Sequence, residues 1–481
     1  MPDVSARRWS SRQPNIPGRG IVAGYSLRFW GLVGAIGLVT GIGASALMAL
    51  LGLVERLAFG SGHGTFLADV RSASDLRRVA VLLLAALIVG GVSFVRRGTA
   101  AGAAEVSEAL WVHGGRLRLG HGLERAVLSI VGVGMGVSLG REAAPQLVGA
   151  ATASWLAEWA QLPTWQRRLL VASGAGAGFA AVYNVPLGGA LFALEVLLGT
   201  LALPLVLPAL AVSVIATAVA WVTLGTAHTY TMPVYGVHAA QLIWALVLGP
   251  VIGLVAVGWV RLIARAAALR PRGRARLVAP LIVFGGLGLL AIPYPQLLGN
   301  GKGIVQLAVV GGLSLGLSTV LLVLKPAVTA ACLGAGAPGG LFTPTLTVGV
   351  LLSVMLAGLW SHVWPHVVPG GYALIGGGAF LAAAMQGPIS GVVLVLELTH
   401  HFDALMAPTL LAVCGATVVA RRLGAPSIYS ARLPEAGDPA AGVIKALDAD
   451  DPALPPWPVG DDVRAGREAP GPRPSSGGAS R

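Results

Sequence analysis

Long apolar stretches, separated by short polar, glycine or proline breaks, run through most of this 481-residue chain. Between Leu169 and Val260 the only charged residue is Glu195, and between Leu277 and Ala420 only four residues are charged. Such stretches predict membrane-spanning helices, although several are shorter than the roughly 20 residues that a span needs. We therefore expect uneven, tilted and broken helices. The apolar stretches cover residues 29–58, 79–95, 123–139, 169–182, 187–222, 241–260, 277–292, 304–324, 326–335, 341–361, 372–384, 389–399 and 404–420.

Two breaks about 200 positions apart, at residues 137–145 and 336–344, place glycines and a proline where a helix should begin. In lipid, non-helical backbone is tolerated only where protein buries it or where it lines a cavity. The first break also carries a carboxylate, Glu142. An ionisable residue at mid-membrane depth costs roughly 2.5 to 3.5 kcal/mol, so we interpret Glu142 as functional.

An internal repeat connects the two halves of the chain. Residues 184–195 match residues 386–397 at an offset of 202, with proline, glycine and glutamate coinciding, and residues 98–102 pair with 299–303. Repeats of this kind in transporters are often inverted and meet around a central site. We expect a cytoplasmic tail at 1–28, membrane repeats at 29–225 and 226–431, and a disordered cytoplasmic tail at 432–481.

The glycine-rich helix starts suit an anion that has lost its water. A helix N-terminus presents free N–H groups and about half a positive charge, and glycine lets an anion approach the backbone. Ionised, Glu142 would occupy the place of the anion; protonated, it would release it. The alternatives are that the glycines only permit close helix packing and that Arg141 merely neutralises Glu142. Glu195 and Glu397, at equivalent repeat positions, are interpreted as structural partners of backbone N–H groups.

Composition supports an integral membrane protein, because 55% of the residues are hydrophobic and only 11% are charged. The net charge of +13 comes from arginines in the tails and short loops, which indicates cytoplasmic loops and termini rather than nucleic-acid binding. The cysteines, Cys332 and Cys414, are interpreted as core residues. We expect a multi-pass protein of the cell (inner) membrane, in contact with lipid, with no metal and no cofactor.

A different class has to be considered, because residues 136–140 formally match the GxSxG pattern of serine hydrolases. Ser138 would be the nucleophile and would need a histidine or lysine base. The histidines fall in loops or at span ends, and the sequence suggests no basic partner within a span. This hypothesis is therefore the weaker one, and we expect a protein that is not an enzyme.

The motifs resemble those of the CLC family of chloride channels and chloride/proton antiporters, in its bacterial form without CBS domains. Gly140-Arg141-Glu142 resembles the start of the family's GREGP motif, and residues 340–344 are similar to its GxFxP motif. The resemblance covers residues 29–431 and implies an all-α fold of two inverted repeats of broken, tilted helices, with an anion site at mid-membrane helix N-termini. It also implies a homodimer in which each subunit has its own pore.

The resemblance assigns the site residue by residue. Glu142 would be the gating glutamate and Tyr429 would give its hydroxyl to the anion. The anion-binding set implied by the family motifs is Ala101, Gly102, Gly140, Arg141, Leu341, Phe342 and Tyr429.

Three positions depart from the family pattern. Ala101 stands where the family has an anion-coordinating serine, and the proline of GREGP comes one place later. Val196 stands where the antiporters commonly carry an intracellular proton glutamate, although some bacterial transporters of the family also lack it. On this basis we predict passive, channel-like conduction of chloride or a similar small anion through a pore gated by Glu142. The alternative is chloride/proton antiport.

Overall fold

The computed structural model describes residues 25–60, 64–95, 102–233, 235–236, 238–364 and 367–433. Within these residues the regular structure is helical, apart from one isolated bridge between two extended residues. The helices in chain order are α1 Leu27–Phe59, α2 Phe66–Ser72, α3 Asp75–Val95, α4 Gly102–Trp111, α5 Leu119–Gly134, α6 Ala143–Trp159, α7 Thr164–Tyr183, α8 Pro186–Leu191, α9 Leu203–Leu224, α10 Ala239–Ala268, α11 Ala275–Leu290, α12 Lys302–Val309, α13 Leu315–Gly334, α14 Phe342–Trp360, α15 Gly370–Met385, α16 Pro388–Thr399 and α17 Phe402–Arg422.

Seven helical segments in the described part of the chain are long and apolar enough to cross a membrane, and other apolar helices are shorter. These segments lie in α1, α3, α9, α10, α13, α14 and α17. The predicted mixture of long, short and broken helices is therefore confirmed, and the protein is an all-α integral membrane protein. The predicted tails fall mainly on residues 1–24 and 434–481, which lie outside the described residues.

Two apolar stretches that look continuous in the sequence are divided in the structure. Stretch 187–222 forms α8, a π-helical turn at Phe192–Leu197 and then α9, with a bend at Gly199, whose φ is 69°. Stretch 304–324 is divided between α12 and α13 near Gly311, whose φ is 74°. Both glycines adopt the left-handed conformation, which ends a helix at little steric cost.

The repeat appears as the same helix-turn-helix built twice. Helix α7 ends at Asn184, and α15 ends at Gln386; both residues adopt the left-handed conformation, with φ of 56° and 58°. Two residues later Pro186 begins α8 and Pro388 begins α16. Proline is favoured at the first helical position because that residue needs no N–H partner there.

In each repeat, a carboxylate accepts hydrogen bonds from amides at the N-terminus of a helix in the other repeat. The Glu195 carboxylate accepts hydrogen bonds from the amides of Ile389 and Ser390, at 3.1 and 2.6 Å. The Glu397 carboxylate accepts from the amides of Leu187 and Gly188, at 3.1 and 2.5 Å. The predicted structural role of both carboxylates is confirmed, and the paired contacts relate the two halves by an approximate two-fold axis.

The two central helices meet at the isolated antiparallel bridge. Gly140 and Gly340 each donate an N–H to the carbonyl oxygen of the other, at 2.7 Å in both directions. Helix α6 starts three residues after Gly140, and α14 starts two residues after Gly340. Since the bridged segments run in opposite directions, the first turns of the two helices lie next to each other.

Close packing of small residues holds α6 against α7. A Cβ atom added at Gly149 of α6 would lie 2.0 Å from the carbonyl oxygen of Gly174 in α7, so only glycine permits this crossing. Gly149 and Gly174 therefore allow α6 and α7 to pack closely.

Candidate functional site

The centre of the site is the carboxylate of Glu142, whose residue is only 1% exposed. Glu142 immediately precedes α6, but its side chain does not cap that helix. Its Oε1 instead accepts a hydrogen bond of 2.7 Å from the amide of Phe342, the first residue of α14. The carboxylate from one half of the chain thus occupies the helix N-terminus of the other half, where a negative charge is favoured.

The second oxygen of the carboxylate faces two hydroxyl groups. Tyr183 Oη donates to Glu142 Oε2 at 3.1 Å, and Thr343 Oγ1 lies 3.3 Å from the same oxygen. The two hydroxyl oxygens are 2.6 Å apart and hydrogen-bonded to each other. Sequence reasoning missed both residues, because nothing in the apolar patterns near 183 and 343 shows that two residues 160 positions apart meet.

Glycine makes room for the carboxylate. A Cβ atom at Gly140 would lie 2.0 Å from Glu142 Oε1, and one at Gly340 would lie 2.1 Å from the same atom. The expected use of glycine, to let a negative group approach the backbone, is thus observed here for a carboxylate.

Aromatic rings enclose the site on the side of α7 and α14. Phe179 packs against the rings of Tyr183, Phe192 and Phe342, with centroid distances of 5.0, 5.4 and 4.6 Å. The ring of Tyr429 continues this cluster by an edge contact with Phe192 at 5.4 Å. Burial among rings excludes water, which strengthens each polar contact that Glu142 makes.

Arg141 lies between the site and an open cavity. Its guanidinium carbon lies 5.2 Å from the ring centroid of Tyr183, a cation–π distance. The cavity has a volume of about 980 Å³, and its charged lining residues are Glu55, Arg71, Arg141 and Lys302. Three cations and one carboxylate give the cavity a positive potential, which concentrates anions near the site. Lys302, the first residue of α12, is one of the cations that line this cavity.

The other predicted site residues take varied positions. Leu341 is buried directly before α14, and Gly102 is the first residue of α4. Ala101 lies outside the described residues. Val196 is buried in the π-helical turn, next to Glu195, whose carboxylate is already used by the repeat contact. Their assignment as anion-binding or proton-transfer positions stays a prediction.

One expectation about Ser138 was wrong. The sequence suggested no basic partner within a span, yet Lys325 Nζ lies 2.9 Å from Ser138 Oγ. The sequence missed this pair because its members are 187 positions apart, on α13 and on the loop before Glu142. The ammonium also donates to the carbonyl oxygens of Leu297 and Gly299, at 3.0 and 2.7 Å.

This geometry does not suit a nucleophile and its base. The three acceptors around Lys325 Nζ match the three hydrogens of an ammonium, a form that has no lone pair with which to take a proton. Ser138 and Lys325 are both fully buried. The pair instead fixes the loop that carries Glu142, and the hydrolase hypothesis is not pursued.

The fold has two related halves, and a helix N-terminus from each half lies beside the buried carboxylate of Glu142. This is the architecture of inverted-repeat membrane transport proteins. The family model described as "Voltage gated chloride channel" matches residues 81–421. A ClcB-like protein of Ralstonia nicotianae is 31% identical over 418 residues, covering 82% of this chain and 95% of that protein. The chain therefore belongs to the CLC family.

Other relatives and solved structures agree with this assignment. The "H(+)/Cl(-) exchange transporter ClcA" of Vibrio parahaemolyticus is 32% identical over 309 residues, covering 62% of this chain and 66% of that relative. A crystal structure of a slow cyanobacterial Cl−/H+ antiporter matches with a TM-score of 0.72 and 22% identity, covering 89% of this chain and 99% of that one. A CLC-type fluoride/proton antiporter matches with a TM-score of 0.68 and 20% identity, covering 84% and 97%. At these identities the structural likeness establishes the fold alone.

Proposed function

We propose that the protein moves chloride across the membrane in exchange for protons, and that both ions act on Glu142. The observation that carries this proposal is the 2.7 Å hydrogen bond from the Phe342 amide to the carboxylate. A negative group already occupies the helix N-terminus that suits a dehydrated anion. Chloride and the ionised side chain therefore compete for one place.

Proton binding changes the outcome of that competition. The ionised carboxylate is held by the Phe342 amide and by the hydroxyl of Tyr183, and it closes the site. A protonated carboxyl accepts hydrogen bonds more weakly and carries no charge for the helix dipole to favour. Protonation therefore releases the side chain and admits an anion. By reciprocity, a bound anion favours the protonated side chain, which couples the two ions.

Exchange replaces channel-like conduction as the preferred mechanism. The channel prediction rested on Val196, whose aliphatic side chain cannot hold a proton. Relatives named as H(+)/Cl(-) exchange transporters support exchange better. In this chain the proton's path to the second side of the membrane would run through water rather than through residue 196. Passive conduction is the second candidate, and only Val196 favours it.

The remaining parts of the proposal concern assembly and placement. We place the protein in the cell (inner) membrane as a homodimer, with both termini cytoplasmic because arginines cluster at the ends and in one long loop. The two repeats are assigned to residues 29–225 and 226–431. The transported partners are chloride or a similar small anion and protons.

Flux from liposomes tests the proposal. Purified protein is reconstituted in chloride-loaded vesicles with no initial proton gradient, and chloride and protons are followed together. Protons driven uphill by the chloride gradient would support exchange. Chloride movement without protons would overturn exchange in favour of conduction, and no anion movement at any pH would overturn both. In Glu142→Gln, whose side chain cannot ionise, we expect chloride flux to lose most of its pH dependence.

A further inference from the structure

The hydroxyl groups of Tyr183 and Thr343 are not explained by the gating role of Glu142 alone. We propose that the Tyr183 hydroxyl is a ligand of the transported anion, which it holds together with the Phe342 amide once Glu142 has withdrawn, and that the Thr343 hydroxyl donates to Tyr183 and orients it. This inference rests on the proposed function, because it assumes that an anion takes the place of the carboxylate.

The contacts of the carboxylate show which donors an anion would meet. Oε1 receives the Phe342 amide at 2.7 Å, and Oε2 lies 3.1 Å from Tyr183 Oη and 3.3 Å from Thr343 Oγ1. All three donors are buried, with exposures of 1% or less. A buried donor without an acceptor is unfavourable, so a departing carboxylate leaves a place that favours another acceptor.

The hydroxyl groups of Tyr183 and Thr343 are arranged so that one hydrogen points to the position that the carboxylate leaves. Because Tyr183 Oη and Thr343 Oγ1 are 2.6 Å apart, one hydroxyl donates to the other. When Thr343 donates to Tyr183, the phenol hydrogen of Tyr183 is free to bond the carboxylate or the anion. The first hydrogen bond of this chain strengthens the second. Neutral hydroxyls attract an anion without the full charge that would trap it.

The ring of Tyr183 is held so that its hydroxyl cannot turn away. It packs against Phe179 and Phe342 with centroid distances of 5.0 and 5.7 Å, and the guanidinium of Arg141 lies 5.2 Å from its centroid. The Tyr183 carbonyl oxygen also accepts the hydroxyl of Thr229 at 2.9 Å. Thr343 is fixed within the first turn of α14. Both hydroxyls are thus preorganised, which reduces the entropic cost of binding.

The test uses a protein whose site has been emptied. Glu142→Ala removes the carboxylate and leaves the three donors. Chloride is titrated calorimetrically into the solubilised full-length variant in chloride-free buffer. Tyr183→Phe and Thr343→Val are then added separately to this background, and Thr343→Ser serves as the conservative rescue. Tyr372→Phe is the matched control, because Tyr372 of α15 is a buried tyrosine whose ring packs on Trp244 of α10.

We expect Tyr183→Phe to weaken chloride binding roughly tenfold or more, as for loss of a hydrogen bond to a charged group. Thr343→Val removes the neutral hydrogen bond that orients the Tyr183 hydroxyl, so it should weaken chloride binding roughly three- to tenfold. Thr343→Ser and Tyr372→Phe should stay within about twofold of the background. Tyr183→Phe and Thr343→Val variants that elute as a single dimer-sized peak and bind chloride as tightly as Glu142→Ala would overturn the ligand assignment alone. Failure of Glu142→Ala itself to bind chloride would overturn the proposed function as well. If one of the two hydroxyl variants does not fold, chloride binding by the other variant still tests the proposal.

Discussion

The exchange of carboxylates between the repeats gives the most quantitative prediction. In Glu397→Gln the side chain keeps its size and one oxygen, but the second oxygen becomes an NH2 group that faces a backbone N–H. The amides of Leu187 and Gly188 both point at this carboxylate, at 3.1 and 2.5 Å, so one of them loses its acceptor. The variant also removes a negative charge from the N-terminus of α8.

The expected loss follows from these two terms. A hydrogen bond to a charged group contributes about 1.5 to 3 kcal/mol, and a charge at a helix N-terminus contributes about 0.3 to 1 kcal/mol. The total is about 2 to 4 kcal/mol. For the roughly 400 residues that the structure describes, with an unfolding entropy of about 2.1 cal/mol/K each, this corresponds to a fall in Tm of roughly 2 to 5 °C.

Thermal unfolding in detergent measures this fall, and the repeat supplies its own matched variant. Glu195→Gln disturbs the amides of Ile389 and Ser390 in the same way, so its Tm should fall by a similar amount. Glu158→Gln, at an exposed position of α6, should change stability by no more than about 0.5 kcal/mol. An unchanged Tm in both repeat variants, or a large loss in only one of them, would refute the two-fold capping argument.

Three further predictions concern the site. In Gly340→Ala the new methyl would lie 2.1 Å from Glu142 Oε1 and take the space of carboxylate and anion alike, so chloride efflux should fall at every pH; undiminished efflux would contradict this. Lys325→Met leaves the carbonyl oxygens of Leu297 and Gly299 without the amine that donates to them, while Ser138 keeps its hydrogen bond with Thr329, so unfolding should become easier by about 2 kcal/mol or more, as checked by Tm. Val196→Glu adds a carboxylate that can hold a proton, so the ratio of protons to chloride moved in the liposome assay should rise. The same ratio in the variant and in the unchanged protein would show that proton supply at residue 196 does not limit proton movement.

The sequence predicts the centre of the fold well because breaks in apolar helices are visible locally. Glycines and prolines at 137–145 and 336–344 correctly predict helix starts, which the structure places at Ala143 and Phe342. The offset of 202 also predicts that Glu195 and Glu397 have equivalent environments. Patterns repeated within one chain reveal symmetry, and symmetry is a property of the whole fold.

Contacts between unrelated positions were not predictable in the same way. Tyr183 lies at the end of an apolar helix with nothing to distinguish it from a packing residue, and its contact with Thr343 depends on where the end of α7 meets the first turn of α14. Lys325 is different, because a lone cation within an apolar stretch is a signal in itself. A buried ammonium needs acceptors, and the sequence shows that it needs them but not that Ser138 is one.

The hydrogen bond between Glu142 and the Phe342 amide joins residues 200 positions apart, one from each half of the chain. At about 5 to 20 residues per second, a ribosome needs roughly 10 to 40 s to make the intervening segment. For that time Glu142 lacks the amide of Phe342 as a donor and has Tyr183 of its own half as a donor, and a carboxylate within lipid costs about 2.5 to 3.5 kcal/mol. The segment that carries Glu142 therefore gains its stable depth only when α14 follows, so biogenesis of the first half depends on completion of the second.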